Sequence, residues 1–151
     1  MARYLLDTNV LVYSLDGSEP EKQERALDII ARTGTAGLDG VPGTLPVQAL
    51  SEFARVCLFK LKPPLSPEEV DRQIGLYVQV FPVVALTPVV VLEAVRGVRD
   101  HAFSYFDAQV WAIAKLNGIP VVLSEDFASG STVEGVSFVD PFAEDFDLAS
   151  L

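Results

Sequence analysis

Two aspartates, Asp7 and Asp126, each directly follow a short apolar segment that is typical of a buried strand. In a parallel sheet the carboxyl ends of the strands lie at one edge, and ligands bind outside that edge. We therefore expect both carboxylates to face the same crevice. Two further acids have informative positions. Asp107 stands near the third residue of a predicted helix, where the helix dipole favours a carboxylate, and Glu52 lies in the first turns of another helix.

Each acid also has an ordinary structural interpretation when it is taken singly. Asp7 could begin a turn, Asp107 could belong to a capping box, Glu52 could be a solvated helix residue and Asp126 could belong to a loop. Several carboxylates in one crevice, however, repel one another and shift each other's pKa unless cations or protons neutralise them. A set of oxygen ligands without histidine or cysteine is suited to Mg²⁺ or Mn²⁺.

The composition excludes several other kinds of site. The chain of 151 residues has one cysteine, Cys57, and one histidine, His101, which rules out an internal disulfide framework, a Cys-rich zinc site and a multi-histidine site. Its net charge of −10 does not favour a surface that binds nucleic acid, and suits a basic partner or a site that collects cations. Because no membrane-span or signal-peptide pattern occurs, we expect a soluble protein in the cytoplasm.

The alternation of apolar runs with helical patterns predicts an α/β fold with parallel strands, in a single domain of residues 1–151. The predicted strands cover residues 3–7, 44–47, 82–86, 120–124 and 136–139. The predicted helices cover residues 18–33, 48–60, 66–78 and 105–117, with a further helix that begins at residues 87–88. The segment of residues 34–43 is rich in Gly and Thr, and predicts a mobile loop.

Local signals define several helix ends and core positions. Capping-box patterns begin at Ser18 and at Ser66, and Gly118 is a natural helix end. The helix of residues 105–117 is apolar on most sides, which predicts a deeply packed helix with Trp111 in the core. We also expect Cys57 to be a small buried hydrophobic residue.

Four short segments resemble the motifs of one family. Leu-Leu-Asp-Thr-Asn-Val-Leu at residues 5–11 resembles the opening of a PIN domain, and Leu-Ser-Glu-Phe at residues 50–53 resembles its second acidic motif. Phe-Asp-Ala at residues 106–108 and Leu-Ser-Glu-Asp-Phe at residues 123–127 resemble the third and fourth. The four segments occur in the family's order and cover nearly the whole chain. The size and the Asp-Thr-Asn opening are most similar to the VapC-type toxins of prokaryotic toxin–antitoxin pairs.

This resemblance implies a fold, a reaction and a set of partners. The fold would be a Rossmann-like, three-layer α/β/α sandwich with a central, mainly parallel sheet. The activity would be that of a metal-dependent endoribonuclease that hydrolyses RNA phosphodiester bonds with Mg²⁺ or Mn²⁺. The partners would be an RNA substrate, a cognate antitoxin and a second copy of the chain in a homodimer.

The resemblance also assigns the site residues. The catalytic and metal-binding acids would be Asp7, Glu52, Asp107 and Asp126. The polar residues that hold these acids and their waters in place would be Thr8, Asn9 and Ser124. Ser124 stands where threonine is more usual in the family, and it retains the hydroxyl group.

A small basic group precedes Asp107. Arg96, Arg99 and His101 are expected to meet RNA phosphate at the mouth of the site, although an exposed loop position is the ordinary interpretation of His101. A second group on a predicted helix, Arg55 with Lys60 and Lys62, is more typical of a solvated helix face.

Two other functions are alternatives to the nuclease. A catalytically silent PIN-fold interaction module would have the same fold without the chemistry, and Mn²⁺ binding separates it from the nuclease. A phosphotransfer enzyme or receiver built around Asp7 is disfavoured, because Thr8 and Asn9 occupy the positions where a second acid would be needed.

Overall fold

Short strands alternate with helices along the residues that the computed structural model describes, which are 2–34, 42–127 and 129–151. The strands are β1 (Tyr4–Leu6), β2 (Gly43–Pro46), β3 (Val83–Val84), β4 (Val121–Leu123), β5 (Thr132–Val133) and β6 (Val136–Val139). The helices are α1 (Thr8–Tyr13), α2 (Pro20–Thr33), α3 (Val47–Phe59), α4 (Pro67–Val80), α5 (Pro88–His101) and α6 (Tyr105–Leu116), and a 3₁₀ turn covers Leu148–Ser150. Most of the loop predicted at residues 34–43 lies outside the described residues.

The strands form one sheet in the order β3-β2-β1-β4-β6-β5, in which only β5 is antiparallel to its neighbour. β1 and β4 are adjacent, and their register pairs Leu6 with Leu123. The backbone amide of Asp7 donates to the carbonyl of Leu123 at 3.1 Å. The register therefore brings Asp7 and the residues after Leu123 to the same edge of the sheet.

Alternation along the strands divides the core into two parts. Leu6, Leu45 and Leu123 belong to the hydrophobic cluster that helices α1 to α4 cover. Leu5 and Val122 point the other way, into the cluster that α5 and α6 cover. The result is a sandwich with helices on both faces of a mainly parallel sheet, and the predicted fold class is confirmed.

The helix signals were right in some places and wrong in others. α6 is buried from Ala108 to Ala114, and Trp111 is fully buried, as its apolar pattern predicts. The capping box of Ser66 and Glu69 is present with both of its hydrogen bonds. The capping box predicted at Ser18 is wrong, because α2 has Glu19 as N-cap and the Ser18 hydroxyl donates instead to Asp16 at 2.6 Å.

Two short elements were not predicted. α1 follows β1 at once, and Asp7 caps it by accepting a hydrogen bond from the backbone amide of Thr8. β5 forms a hairpin with β6 through Glu134 and Gly135, which have positive φ angles of 48° and 85°. Two consecutive left-handed residues are the mark of a type I′ turn, which matches the twist of the strands that it joins.

The acidic C-terminal segment packs against the rest of the protein. The Arg25 side chain on α2 donates to the carbonyls of Pro141 and Phe146, both at 2.6 Å. Phe142, Phe146 and Leu148 contact the core cluster on the α1–α4 face of the sheet. Across the described parts of the chain, no helix is long and apolar enough to cross a membrane.

Candidate active site

Asp7 lies at the carboxyl end of β1, in the first position after the sheet. Its carboxylate accepts from the Ser124 hydroxyl at 2.7 Å and from the backbone amide of Thr8 at 2.8 Å. Burial raises the pKa of Asp7 to about 6, the two hydrogen bonds lower it, and the charges of Asp126 and Glu52 raise it further. The Asp7 carboxylate is therefore a buried acid that lies next to two other acids.

Ser124 and Asn9 connect Asp7 to Asp126. The Ser124 hydroxyl, which is buried, accepts from the Asn9 side-chain amide at 3.1 Å and from the backbone amide of Asp126 at 3.2 Å. The same Asn9 amide donates to the Asp126 carboxylate at 3.2 Å. The structure thus brings two of the predicted acids together through the polar residues that the sequence assigned to hold them.

The other side-chain atom of Asn9 is a buried polar atom with no partner. Because Nδ2 donates to an acceptor-only carboxylate, the orientation of the amide is determined and Oδ1 must point elsewhere. Oδ1 is buried, and it makes no hydrogen bond to a described residue. A buried carbonyl oxygen without a partner is a site at which a cation or an ordered water would be stabilised.

Glu52 approaches Asp7 from helix α3. One of its carboxylate oxygens accepts from the Thr8 hydroxyl at 2.8 Å, and the other accepts from Gln48 at 2.9 Å. Gln109 on α6, which is almost fully buried, donates to the side-chain oxygen of Gln48. The sequence analysis missed this pair of glutamines. A polar Gln109 inside an otherwise apolar helix is the signal that could have indicated it.

Asp107 is the acid that the structure connects least to the others. It lies in the first turn of α6 and is half-buried, and its backbone amide donates to Ser104 at 3.4 Å. Among the described residues, its carboxylate makes no hydrogen bond to Asp7 or Asp126, and no three His, Cys, Asp or Glu side chains lie close enough together to hold a metal ion as they stand. The acidic crevice is therefore composed of Asp7, Thr8, Asn9, Glu52, Ser124 and Asp126.

A second contact network that the sequence analysis missed surrounds Glu125. Glu125 accepts hydrogen bonds from the Tyr13 hydroxyl and, at 3.0 Å, from Lys22. Burial and the hydrogen bond to Glu125 raise the pKa of Tyr13. The pKa of Lys22 is raised by the hydrogen bonds that Lys22 makes to Tyr13 and Glu125. Both groups therefore keep their protons at neutral pH and act as donors.

The basic group predicted to contact RNA is engaged with carboxylates. Arg96 binds Glu93 at 2.5 Å and Glu134 at 2.8 Å, and Nε2 of His101 lies 2.6 Å from the carboxylate of Glu134. Arg99 binds Asp100 at 2.7 Å, although its own side chain is 71% exposed. None of these contacts involves a residue of the acidic crevice, and the contact with RNA stays a prediction.

Comparison with solved structures identifies similar backbones at low sequence identity. A toxin–antitoxin complex from Klebsiella pneumoniae matches with a TM-score of 0.61 and 14% identity, over 92% of this chain and 98% of that chain. DNA-bound VapBC from Salmonella typhimurium matches with a TM-score of 0.63 and 15% identity, over 93% and 99%. VapC20 from Mycobacterium tuberculosis, described as a toxin that cleaves the sarcin–ricin loop, matches with a TM-score of 0.60 and 16% identity, over 87% and 97%.

At these identities the structural matches establish the fold alone, and no curated protein sequence matches the chain. The sequence profile of one family supplies the assignment. The PIN domain profile matches residues 4–128, a span that contains all four of the predicted acids and every residue of the acidic crevice. By that match, which extends over most of its length, the chain belongs to the PIN domain family.

Proposed function

We propose that this protein is a metal-dependent endoribonuclease and the toxin of a prokaryotic toxin–antitoxin pair, acting in the cytoplasm. The observation that carries the proposal is the buried carboxylate of Asp7, which shares the acidic crevice with Asp126 and Glu52. Among the described residues, its hydrogen-bond donors are a hydroxyl and a backbone amide, and none is a cationic side chain. The structural neighbours support the same function, since one is described as a toxin that cleaves the sarcin–ricin loop and two are toxin–antitoxin complexes.

The crevice residues fit a hard divalent cation. Their donor atoms are oxygens, without histidine or cysteine, and Asn9 Oδ1 is a buried oxygen that lacks a partner. We assign Asp7, Asp126, Glu52 and Asp107 as the residues that would hold Mg²⁺ or Mn²⁺. When bound, such an ion supplies positive charge to the scissile phosphodiester and makes water a better nucleophile at neutral pH.

The chain's own residues would orient these carboxylates. Ser124 and the Thr8 amide each hold one oxygen of Asp7, and Asn9 holds one oxygen of Asp126. A carboxylate has about four lone-pair sites, so each acid can still present a lone pair to a ligand. Thr8 links Glu52 to the first turn of α1, which places Glu52 to hold or orient a water. Asp107 would complete the site from the first turn of α6, where it is half-buried.

The test is cleavage of total RNA by the purified protein in Mg²⁺, in Mn²⁺ and in EDTA. We expect cleavage with either metal, none in EDTA and none with Asp7→Asn. Asp28→Asn is the matched control, because Asp28 is an acid on α2 that pairs with Arg32 outside the crevice. Full cleavage by both Asp7→Asn and Asp107→Asn, or cleavage in EDTA, would contradict the proposal.

The proposed antitoxin is a basic protein that covers the acidic crevice. The net charge of −10 favours association with a positively charged partner, because complementary potentials accelerate encounter. We expect expression of this chain to arrest growth, and co-expression of a small DNA-binding protein encoded next to it to relieve the arrest. Persistent arrest in the presence of that protein would contradict the assignment of the partner.

A homodimer is part of the same proposal. Leu92, Phe106 and Val89 are large apolar side chains with exposed fractions of 72%, 63% and 60%. Exposed apolar residues on adjoining elements are typical of an interface between subunits. Sedimentation of the protein and of Leu92→Glu tests this, and a monomer at micromolar concentration for the unsubstituted chain would contradict it.

A catalytically silent interaction module is the second candidate. It is favoured by one observation, which is that no three acids among the described residues lie close enough together to hold a metal ion as they stand. Calorimetry with Mn²⁺ separates the two functions. Binding that depends on Asp7 supports the nuclease, and an absence of binding supports the silent module.

A further inference from the structure

The turn after β4 carries two residues of the acidic crevice, Ser124 and Asp126. Within the described residues, the buried Ser124 side chain makes three hydrogen bonds, whereas Asp126 is exposed and its carboxylate accepts from Asn9 at 3.2 Å. An exposed side chain keeps much of its rotamer freedom, and a ligand that it binds must remove that freedom. The position of Asp126 therefore depends on how its backbone is held.

The residue between them, Glu125, has hydrogen-bond partners of its own. Its carboxylate accepts from the Tyr13 hydroxyl and from Lys22 at 3.0 Å, and Lys22 also donates to the Tyr13 hydroxyl at 3.1 Å. We call these three residues the Glu125 clamp. The Lys22 ammonium group lies 4.6 Å from the centre of the Tyr13 ring, and Phe142 packs edge-on against that ring at 5.0 Å.

The clamp joins three separate parts of the chain at one point. Tyr13 ends α1, whose first residue is capped by Asp7, and Lys22 lies in α2. Glu125 is the direct neighbour of Asp126, so a fixed Glu125 carboxylate fixes the backbone from which the Asp126 side chain starts. The turn is thus held both by the contacts of Glu125 and by those of Asn9 and Ser124.

Surface ion pairs contribute little to global stability, and the side chains of Lys22 and Glu125 are 37% and 23% exposed. A role in stability alone does not account for the convergence of two donors on this one carboxylate beside the site. From this convergence we infer that Tyr13, Lys22 and Glu125 are positioning residues, which hold the turn so that Ser124 and Asp126 face Asp7. The expected effects on RNA cleavage rest on the proposed function, whereas the expected effects on the structure of the turn do not.

The experiment uses the full chain with three clamp substitutions, Tyr13→Phe, Lys22→Met and Glu125→Gln. Lys22→Arg keeps the charge, and is the variant expected to restore the clamp. Asp28→Asn is the control, because it breaks the Arg32–Asp28 ion pair, which is comparably exposed, at 34% and 42%, and lies outside the site. The melting temperatures of all variants are measured first, and we expect similar small changes.

The structural measurement is the NMR signal of the Asn9 side-chain amide, which donates to both Ser124 and Asp126. We expect this signal to shift in the three clamp variants and to stay in place in Lys22→Arg and Asp28→Asn. An Asn9 signal that is unchanged in Glu125→Gln would overturn the inference. This measurement needs neither metal nor RNA, so it remains decisive if the unsubstituted protein cleaves no RNA, which would be a failure of the proposed function alone.

The functional measurements are Mn²⁺ affinity by calorimetry and the kinetic constants of RNA cleavage. Loss of a residue that orients a metal ligand typically lowers metal affinity or activity by about 10- to 100-fold, and we expect a loss of that size in kcat and in Mn²⁺ affinity, with little change in KM. In the Asp126→Asn background, Glu125→Gln should have almost no further effect, because the residue that it positions is already disabled. Equal losses in both backgrounds would show that the clamp acts independently of Asp126, and would overturn the inference.

Discussion

Carboxylates in two regions of this molecule meet opposite surroundings. In the acidic crevice, Asp7 is buried beside Asp126 and Glu52, and its pKa is raised to about 6. The second region lies on helices α5 and α6 and the β5–β6 turn. There, Arg96 and Lys115 lower the pKa of Glu93 to about 2. His101 and Arg96 lower the pKa of Glu134 to about 2 as well. We call the second region the ion-pair cluster, and it comprises Glu93, Arg96, Asp100, His101, Lys115 and Glu134.

The difference separates acids that are paired with cationic side chains from an acid that is held by neutral donors. The ion-pair cluster is compensated internally, since each of its carboxylates binds at least one cationic side chain. The hydrogen bonds that Asp7 accepts come from a hydroxyl and a backbone amide, which compensate its charge only in part. A buried carboxylate whose charge is compensated only in part marks a candidate functional group, because perturbed pKa values cluster at sites of function.

The largest expected effect is that of Asp7→Asn. We expect RNA cleavage to fall by more than about 100-fold, beyond the usual cost of losing a residue that only orients a ligand. In EDTA at pH 7.5 the same substitution should stabilise the protein, by on the order of 1 to 2 kcal/mol after the loss of one hydrogen bond is subtracted, because it removes a buried charge. Urea unfolding measures this change in the free energy of unfolding. A less stable Asp7→Asn protein would show that the Asp7 charge does not destabilise the fold, and would contradict the contrast between the acidic crevice and the ion-pair cluster.

Ser124→Ala should have the next largest effect. The hydroxyl donates to the Asp7 carboxylate and accepts from the Asn9 side-chain amide and the Asp126 backbone amide. Its loss therefore removes the one group that joins all three. We expect Mn²⁺ affinity and cleavage to fall by about 10- to 100-fold. Ser124→Thr keeps the hydroxyl and should retain most of both. Equal behaviour of the alanine and threonine variants would indicate that this hydroxyl does not organise the crevice.

Glu134→Gln tests the ion-pair cluster through the pH dependence of stability. The pKa of Glu134 falls from its usual 4.5 to about 2 in the folded protein, so its carboxylate stabilises the fold above about pH 4.5, and that contribution is lost as the pH falls toward 2. We expect Glu134→Gln to have a lower Tm than the unsubstituted chain at pH 7, and the gap to close in acid. Its rate of RNA cleavage should be unchanged, and a gap that is constant with pH would contradict this assignment.

The smallest effect is expected for Arg99→Ala, which tests the predicted contact with RNA. Arg99 is 71% exposed, and Asp100 is the acid to which it binds, so its guanidinium can exchange this contact for a phosphate at little cost. Loss of one phosphate contact should reduce the salt dependence of RNA binding by a slope of about one. An unchanged slope would show that Arg99 does not contact RNA and binds only Asp100.

Much of the architecture could be predicted from local patterns. Apolar runs marked β1, β4 and β6, and the apolar surface of α6 predicted its burial, because these signals are carried by consecutive residues. The Ser18 capping box was wrong, because Asp16 competes for the same hydroxyl. α1 and β5 were missed, because six and two residues respectively are too short to carry a periodic signal.

The site divides in the same way. Asp7 and Asp126 could be placed at one edge because each follows a strand, and parallel strands share their carboxyl edge. The partners of Glu125, by contrast, are 112 and 103 residues distant in sequence, and no local pattern pairs them. The link from Gln109 through Gln48 to Glu52 is equally long-range, at 61 residues for its first step.

The sequence by itself determined most of the elements, and that Asp7 and Asp126 lie at one edge of a mainly parallel sheet. Only the tertiary structure decided which carboxylates are compensated. The charge on a side chain is a property of its residue type, but its pKa depends on burial and on neighbours that the fold brings from distant parts of the chain. For that reason Asp7 and Glu134 look alike in the sequence and differ in the folded protein.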